Sequence, residues 1–227
     1  MKTTLAFTLL FLSHICFGQY FAIVSDKDGY CNVRTAAGTG NKILDSLHNG
    51  HFVLCFDTKD GWTSINYGKG KQDTSGYVYH DRLQLISDYE KIPNQKGSDS
   101  IFVKDSLKVV VCVRKFVKAR HRVILNKESP QDVESIDGRK IWGTDGEMPR
   151  SEYKSIVVYS GSNRLDLPKA AYEDLFEPSL YYTKVNYDRQ HDILYIQSSN
   201  SDGAGSYVVI WKIEKGEYAG RYVTGDD

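Results

Sequence analysis

The chain has 227 residues, and its 29 Lys and Arg residues balance 29 Asp and Glu residues. This balance gives no global attraction to nucleic acid or to anionic lipid. The length is enough for two small hydrophobic cores or one large β domain. No second long apolar run follows the N-terminus, so the sequence predicts no membrane span.

The first 18 residues have the features of a secretory signal peptide. Lys2 is their only charge, a short apolar run covers residues 5–12, and Gly18 precedes the predicted cleavage site. A lipid anchor on Cys16 would need a small residue where Ile15 stands, which argues against an anchor. Removing this segment takes away Lys2 and no acidic residue, leaving 209 residues with 28 basic against 29 acidic side chains. The predicted location is periplasmic or secreted.

Short apolar segments separated by turn residues fill residues 19–90. They contain Tyr30-Cys31-Asn32-Val33-Arg34, Val53-Leu54-Cys55-Phe56, Asp60-Gly61-Trp62 and Gly76-Tyr77-Val78. Such spacing predicts a small all-β barrel. Residues 20–87 resemble the bacterial SH3-like (SH3b) domain, which carries a similar Asn-Val-Arg motif and a tryptophan at the position of Trp62. Tyr77 stands where many relatives have tryptophan.

The resemblance implies a binding module that recognises peptidoglycan peptides or protein partners. Aromatic side chains suit such a groove because they contribute a large contact area with few rotatable bonds. Trp62 and Tyr77 occupy positions that suit a small core equally well. Arg34 is expected to brace a turn. The candidate groove residues are Tyr30, Trp62, Tyr67, Tyr77 and Tyr79.

Two cysteines fall on strands of the predicted barrel. Side-chain alternation places Cys31 beside Val33 and directs Val53 and Cys55 toward the interior. A Cys31–Cys55 disulfide is compatible with export, but it requires Cα atoms within about 7 Å. Two buried free thiols are the alternative, and the sequence leaves both open. The opposite face of the second strand then carries Phe52, Leu54 and Phe56.

No metal site or cofactor is predicted. Asp26 and Asp28 precede a glycine in a turn, but the further oxygen ligands of a calcium loop are missing. His48 and His51 have no third ligand nearby, so surface positions are expected for both.

Residues 91–100 are polar and contain Pro and Gly, which predicts a linker. The region 101–227 is expected to form an antiparallel β-rich (α+β) domain of no assigned family. Its one short helix is predicted over residues 167–176, with Asp166 as the cap and Pro168 in the first turn. Strands are expected at residues 107–113, 153–159, 192–197, 207–213 and 221–223.

A basic stripe runs from Lys104 to Lys127, with eight basic residues and only Asp105 as a counter-charge. Acidic residues follow directly, and lysine on exposed strands protects sheet edges from unwanted pairing. These facts favour a solvated face. If the stripe is functional, an acidic protein is a better partner than nucleic acid, because the chain is predicted to be exported.

The sequence predicts no catalysis. Cys112 lies on a predicted strand, whereas a cysteine peptidase places its nucleophile at an exposed helix start. His121 and His191 are too few for a zinc amidase. Acidic pairs for glycan cleavage stay open, because their spacing is hidden in the sequence. The leading hypothesis is an exported, non-catalytic binding protein of the cell envelope. The alternatives are an inhibitor or immunity protein against a secreted toxin or wall hydrolase, and a glycan-cleaving enzyme.

Overall fold

Alternating side chains build the first third of the chain into one curved antiparallel sheet, the N-terminal sheet. The computed structural model describes residues 19–70, 72–98, 100–201 and 203–225, so the predicted signal peptide lies outside the described residues. The sheet pairs its strands in the order β3-β2-β6-β5-β4-β1-β7. These strands are β1 (Tyr20–Val24), β2 (Tyr30–Arg34), β3 (Ile43–His48), β4 (Phe52–Lys59), β5 (Trp62–Lys69), β6 (Gln72–Tyr79) and β7 (Leu83–Leu85).

One face of the N-terminal sheet encloses a small core of its own. The predicted alternation along β4 is confirmed, because Val53 and Cys55 point into this core and Leu54 points away from it. The core also contains Ala22, Val24, Cys31, Val33, Leu47, Ile65, Tyr67, Val78 and Leu83.

The rest of the chain forms a five-stranded sheet, a four-stranded sheet and a two-stranded hairpin, which confirms the mainly β class. Its described strands are β8 (Glu90–Ile92), β9 (Ile101–Lys104), β10 (Leu107–Lys115), β11 (Val123–Leu125), β12 (Val133–Ile136), β13 (Ser151–Ser160), β14 (Asn163–Asp166), β15 (Thr183–Asp188), β16 (Ile193–Asn200), β17 (Tyr207–Glu214) and β18 (Glu217–Gly225). The middle sheet has the order β18-β17-β16-β15-β8, and the outer sheet has the order β14-β13-β10-β9. Strands β11 and β12 form a separate two-stranded sheet.

The middle sheet is buried on both faces. Val209 and Trp211 belong to the core that it shares with the outer sheet. Ile210 and Tyr195 point the other way and pack with Leu54 of the N-terminal sheet. A sheet covered on both sides needs apolar residues in both alternating sets, which explains the nearly continuous apolar runs of β16 and β17. The three sheets therefore stack as three layers.

The segment predicted as a linker is partly built into the middle sheet. Ile92 pairs with Val185 of β15 and is 1% exposed. The Pro93 carbonyl accepts a hydrogen bond from the Val103 amide at 3.0 Å. A turn closes at Ser98, whose amide donates to the Gln95 carbonyl. Pairing with a strand more than ninety residues away is invisible in local composition.

The prediction of a helix over residues 167–176 is wrong, because only a three-residue 3₁₀ turn, Lys169–Ala171, forms there. Leu175 and Phe176 instead make isolated bridges to other segments. The Ala171 carbonyl accepts hydrogen bonds from the Trp211 indole at 2.7 Å and the Arg221 guanidinium at 2.9 Å. These tertiary hydrogen bonds replace the helical ones that local propensity favoured.

The predicted C-terminal meander is confirmed, since β16, β17 and β18 pair in succession. The connection between β16 and β17 contains the 3₁₀ turn Gly203–Gly205. Gly205 lies against the backbone of Thr144, where an added Cβ would stand 2.6 Å from the Thr144 carbonyl carbon. A glycine is therefore needed at this contact.

Candidate functional site

A groove of about 380 Å³ opens on the solvent side of the N-terminal sheet. It combines three aromatic side chains with acidic and basic groups, and we call it the aromatic groove. Tyr30 is 44% exposed and Tyr79 is 43% exposed, so both rings are open to a ligand. The lining residues are Asp26, Asp28, Tyr30, Cys31, Asn32, Arg34, Thr39, Trp62, Tyr79 and Arg82.

Strand register and a tight turn hold two of the aromatic rings together. Trp62 and Tyr79 are opposite each other in the β5–β6 ladder, and their rings meet edge-on with centroids 5.5 Å apart. Asp60 and Gly61 both have positive φ, which gives the β4–β5 hairpin the twist of a type I′ turn. A Cβ on Gly61 would approach Tyr79 Cε2 to 2.8 Å. The glycine thus serves both the turn and the Tyr79 ring.

The charged groups of the groove differ in whether they are already paired. Arg82 Nη1 lies 2.9 Å from Asp26 Oδ2, because β7 begins directly after Arg82 and pairs with β1. Asp26 Oδ1 also accepts the backbone amide of Asp28 at 2.8 Å. The Asp28 carboxylate itself makes no ion pair with any residue that the structure describes. It is an exposed carboxylate free to meet a cation.

Arg34 has the bracing role that the sequence predicted. Its Nη1 donates to the Asn41 carbonyl at 2.7 Å and closes the loop between β2 and β3. The groove therefore offers aromatic surface, one free carboxylate and the Arg34 guanidinium, which is held by a backbone carbonyl. The aromatic rings and the carboxylate favour ligands with an ammonium or guanidinium group.

Two of the five predicted groove residues do not line the groove. The prediction that Tyr67 lines the groove is wrong, because its side chain is fully buried. Its hydroxyl lies 3.5 Å from Asp45 Oδ2. Burial, with Asp45 adding to it, raises the pKa of Tyr67 to about 12. Tyr67 follows Ile65 by two residues, so the same alternation that placed Ile65 inside also placed Tyr67 inside. Tyr77 shares the outward side of β6 with Tyr79 but lies outside the lining.

The four charged residues of the groove, Asp26, Asp28, Arg34 and Arg82, were not predicted as site residues. Asp26 and Asp28 were interpreted as turn residues once a calcium loop had been set aside, Arg34 was expected to brace a turn, and nothing in the sequence pointed to Arg82. The signal for Asp28 was its place directly before Gly29 and Tyr30, at a strand start. Arg82 enters the groove through the β1–β7 pairing, which local sequence does not reveal.

Cys31 and Cys55 are both free thiols in the core of the N-terminal sheet. Their strands are not neighbours, since β2 pairs with β3 and β6 while β4 pairs with β1 and β5. Burial, with a smaller contribution from Asp26, raises the pKa of Cys31 to about 11. Burial raises the pKa of Cys55 to about 12. Both thiols are neutral at physiological pH and so are poor nucleophiles.

We expect native protein beginning at Gln19 to react with a thiol reagent at one cysteine at most, Cys112, near pH 8. The same chain should show three thiols in denaturant, because Cys31 and Cys55 are buried rather than bridged. An Ellman titration before and after denaturation measures both counts, and Cys112→Ser should abolish the fast native reaction. A single thiol in denaturant would show that the Cys31–Cys55 bridge exists.

The raised thiol pKa values also predict a loss of stability at alkaline pH. The unfolded chain releases its thiol protons near the ordinary pKa of 9.0, whereas the folded chain keeps them up to about 11 and 12. The contribution of the two buried neutral thiols to the free energy of unfolding is therefore fully present below about pH 9 and is lost as the pH rises above it. Urea unfolding of wild type and Cys55→Ala at about pH 8 and pH 10 tests this. The wild type should lose more free energy of unfolding than the variant, and equal losses would contradict the expectation.

The histidines considered for catalysis are engaged by carboxylates. His121 Nδ1 lies 2.7 Å from Asp137 Oδ2, and His191 Nδ1 lies 2.7 Å from Asp188 Oδ2. No hydrogen bond joins either histidine to Cys112 in the described part of the chain. The cysteine–histidine pairing that a cysteine nucleophile requires is not formed by these residues.

A second cleft, of about 310 Å³, lies between the edges of the middle and outer sheets. Three of its polar side chains, Arg164, Tyr187 and Asp192, are already hydrogen-bonded within the chain. Arg164 donates two hydrogen bonds to Asp166, both at 2.7 Å, and the Tyr187 hydroxyl donates to Asp192 at 2.8 Å. The aromatic groove, with its free carboxylate, is the better candidate for a ligand.

Family models, curated proteins and solved structures contain no match to this chain. Within residues 19–70, 72–98, 100–201 and 203–225, no helix has the length and apolar character needed to cross a membrane. Over the same ranges, no group of three or more His, Cys, Asp or Glu residues is arranged to hold a metal ion.

Proposed function

We propose that this chain is an exported, non-catalytic binding protein of the bacterial cell envelope, whose N-terminal sheet is an SH3-like domain. Its ligand is a peptide of peptidoglycan or an extended segment of an envelope or secreted protein. The observation that carries the proposal is the convergence of Tyr30, Trp62 and Tyr79 on one open groove beside the unpaired Asp28. The predicted signal peptide and the resemblance of residues 20–87 support the location.

The chemistry of the groove favours a ligand with a free amine. An ammonium group over an aromatic ring contributes about 0.5–2 kcal/mol, depending on how far it is desolvated. Asp28 adds a carboxylate at the same groove. Peptidoglycan stem peptides that contain a diamino acid offer such an amine, and a protein partner would offer a lysine.

The neutral state of Cys31 supports binding rather than catalysis. Cys31 is among the residues that line the groove, but its side chain belongs to the core of the N-terminal sheet, and burial raises its pKa to about 11. A thiol that stays protonated near pH 7 does not attack a bound peptide at a useful rate. The groove is therefore proposed to hold its ligand without cleaving it.

Binding to purified peptidoglycan and to a soluble amine-bearing stem peptide tests the proposal. Trp62→Ala and Asp28→Asn should each weaken binding by about tenfold, since central aromatic and charged contacts dominate such interfaces. Tyr181→Ala is the control, because Tyr181 is the most exposed aromatic residue described and lies outside the groove. Point variants are preferable to deletion of residues 19–90, because the deletion would expose the middle sheet.

Acetylating the amine of the peptide distinguishes the contact with Asp28 from the contacts with the aromatic rings. The wild type should lose affinity for the acetylated peptide, whereas Asp28→Asn should lose less, because only the contact of the ammonium group with the aromatic rings is left to remove. Thermal unfolding confirms that each variant is folded. Wild-type binding by both folded groove variants would contradict the proposal, and so would losses of the same size in Tyr181→Ala.

A further inference from the structure

The segment from Lys115 to Arg122 presents an exposed basic surface far along the chain from the aromatic groove. Within the wider basic stripe, Lys104 pairs with Glu90 at 2.6 Å and Arg114 pairs with Glu152 at 2.8 Å. The four cations of the segment make no ion pair with any residue in the described ranges. These four exposed side chains are Lys115, Lys118, Arg120 and Arg122.

Three aliphatic residues close to these cations in the sequence are also exposed. Val117, Ile124 and Leu125 are 37%, 37% and 39% exposed. All three belong to residues 115–125, and β11 is the last element of this range. We call the four cations and these three aliphatic residues the basic patch. None of these seven residues is aromatic, and the Phe116 ring of the same segment is buried.

Contacts beneath the basic patch hold it in place and occupy the adjoining carboxylates. Phe116 stacks on His121 with ring centroids 4.7 Å apart. His121 Nδ1 lies 2.7 Å from Asp137, and its Nε2 lies 3.1 Å from Glu152 without the alignment of a hydrogen bond. Asp137 Oδ1 also accepts the Arg122 amide at 2.8 Å. The cations are therefore displayed from an anchored segment, and these two carboxylates are directed toward His121.

We propose that the basic patch docks on the surface of an anionic phospholipid bilayer. Basic side chains near such a surface are attracted by its negative potential, and aliphatic side chains between them enter the boundary below the headgroups. Single-stranded nucleic acid would instead be bound by exposed aromatic rings that stack on bases. Protein interfaces are enriched in arginine but also in tyrosine and tryptophan, and the basic patch has arginines without an exposed aromatic ring. The near-neutral charge of the whole chain makes the attraction local.

Docking at this patch leaves the aromatic groove accessible. The basic patch continues from β10 of the outer sheet, and the groove lies on the N-terminal sheet. The middle sheet separates these two layers. The protein can therefore lie on a bilayer through one layer and bind an envelope peptide through the other.

Vesicle sedimentation tests the proposal with the chain from Gln19 onward, which contains every described strand and lacks the apolar residues 1–18. The vesicles are phosphatidylcholine mixed with phosphatidylglycerol, and phosphatidylcholine alone, each at low and high salt. The wild type should bind the anionic vesicles at low salt and detach at high salt. Lys118→Glu/Arg120→Glu should bind at least about 30-fold more weakly, since the loss of each cation costs about fivefold and the new carboxylates are repelled by the anionic surface. Ile124→Ser should reduce binding about threefold.

Lys91→Glu/Lys184→Glu is the matched control, because it makes the same charge change at exposed residues of β8 and β15. It should bind the anionic vesicles nearly as well as the wild type. Equal losses in the two double variants would overturn the location of the site. Absence of binding to anionic vesicles at low salt would overturn the proposal, as would binding to soluble polyglutamate alone, which would indicate an acidic protein partner.

Discussion

Leu54→Asp is expected to lower the free energy of unfolding by about 3–5 kcal/mol, because it places an unpaired carboxylate in an apolar layer. Leu54 is 3% exposed and packs in a cluster with Phe21, Ile86, Tyr195 and Ile210. This cluster joins the N-terminal sheet to the middle sheet. Urea unfolding followed by circular dichroism and by tryptophan fluorescence measures the effect.

The same experiment tests whether the layers unfold together. Trp62 reports on the N-terminal sheet and Trp211 on the middle sheet, and the continuous apolar layer predicts one shared transition. Leu44→Asp is the matched control, because Leu44 is 42% exposed on β3 and the substitution is identical. It should change stability by less than about 1 kcal/mol. If Leu54→Asp shifted only part of the transition, the layers would be independent.

Asp174→Ala is expected to cost about 3–5 kcal/mol of unfolding free energy, because it leaves the Arg221 guanidinium without its counter-charge. Arg221 Nη1 donates to Asp174 Oδ1 at 2.7 Å, and its Nη2 donates to Asp174 Oδ2 at 2.5 Å. The same guanidinium also binds the Ala171 carbonyl. Equilibrium denaturation of the variant measures the loss.

An exposed pair of the same type is the control for the buried one. Arg164 and Asp166 form two hydrogen bonds as well, but both side chains are 56% exposed. Asp166→Ala should therefore produce no measurable change. Asp174→Ala/Arg221→Met should recover much of the stability lost in Asp174→Ala, because no unpaired charge remains. Equal effects of Asp174→Ala and Asp166→Ala would contradict the importance of burial.

Local alternation predicted a large part of the N-terminal sheet. It placed Val53 and Cys55 inside and Leu54 outside, as observed. Applied consistently to β5, it would also have placed Tyr67 inside. The interpretation of Tyr67 as a groove residue followed its aromatic character instead of its position in the strand. Tyr30, Trp62 and Tyr79 were predicted as groove residues, and the structure places all three in one groove.

The ion pairs of the groove could not be predicted from the sequence. Asp26 and Arg82 are 56 positions apart and meet only because β1 pairs with β7. That pairing leaves Asp28 as the carboxylate with no ion-pair partner in the described residues. The preference of the groove for a cationic ligand therefore depends on the tertiary structure.

The sequence by itself determined the β class and the inward or outward direction of residues in β2 and β4, because alternation depends on neighbours one or two positions away. Only the tertiary structure decided that β8 joins the middle sheet and that the segment 167–176 is not a helix. It also decided that Leu54 and its neighbours are covered by a second layer. These outcomes depend on hydrogen bonds and apolar contacts between distant segments, whose free energy outweighs local preference.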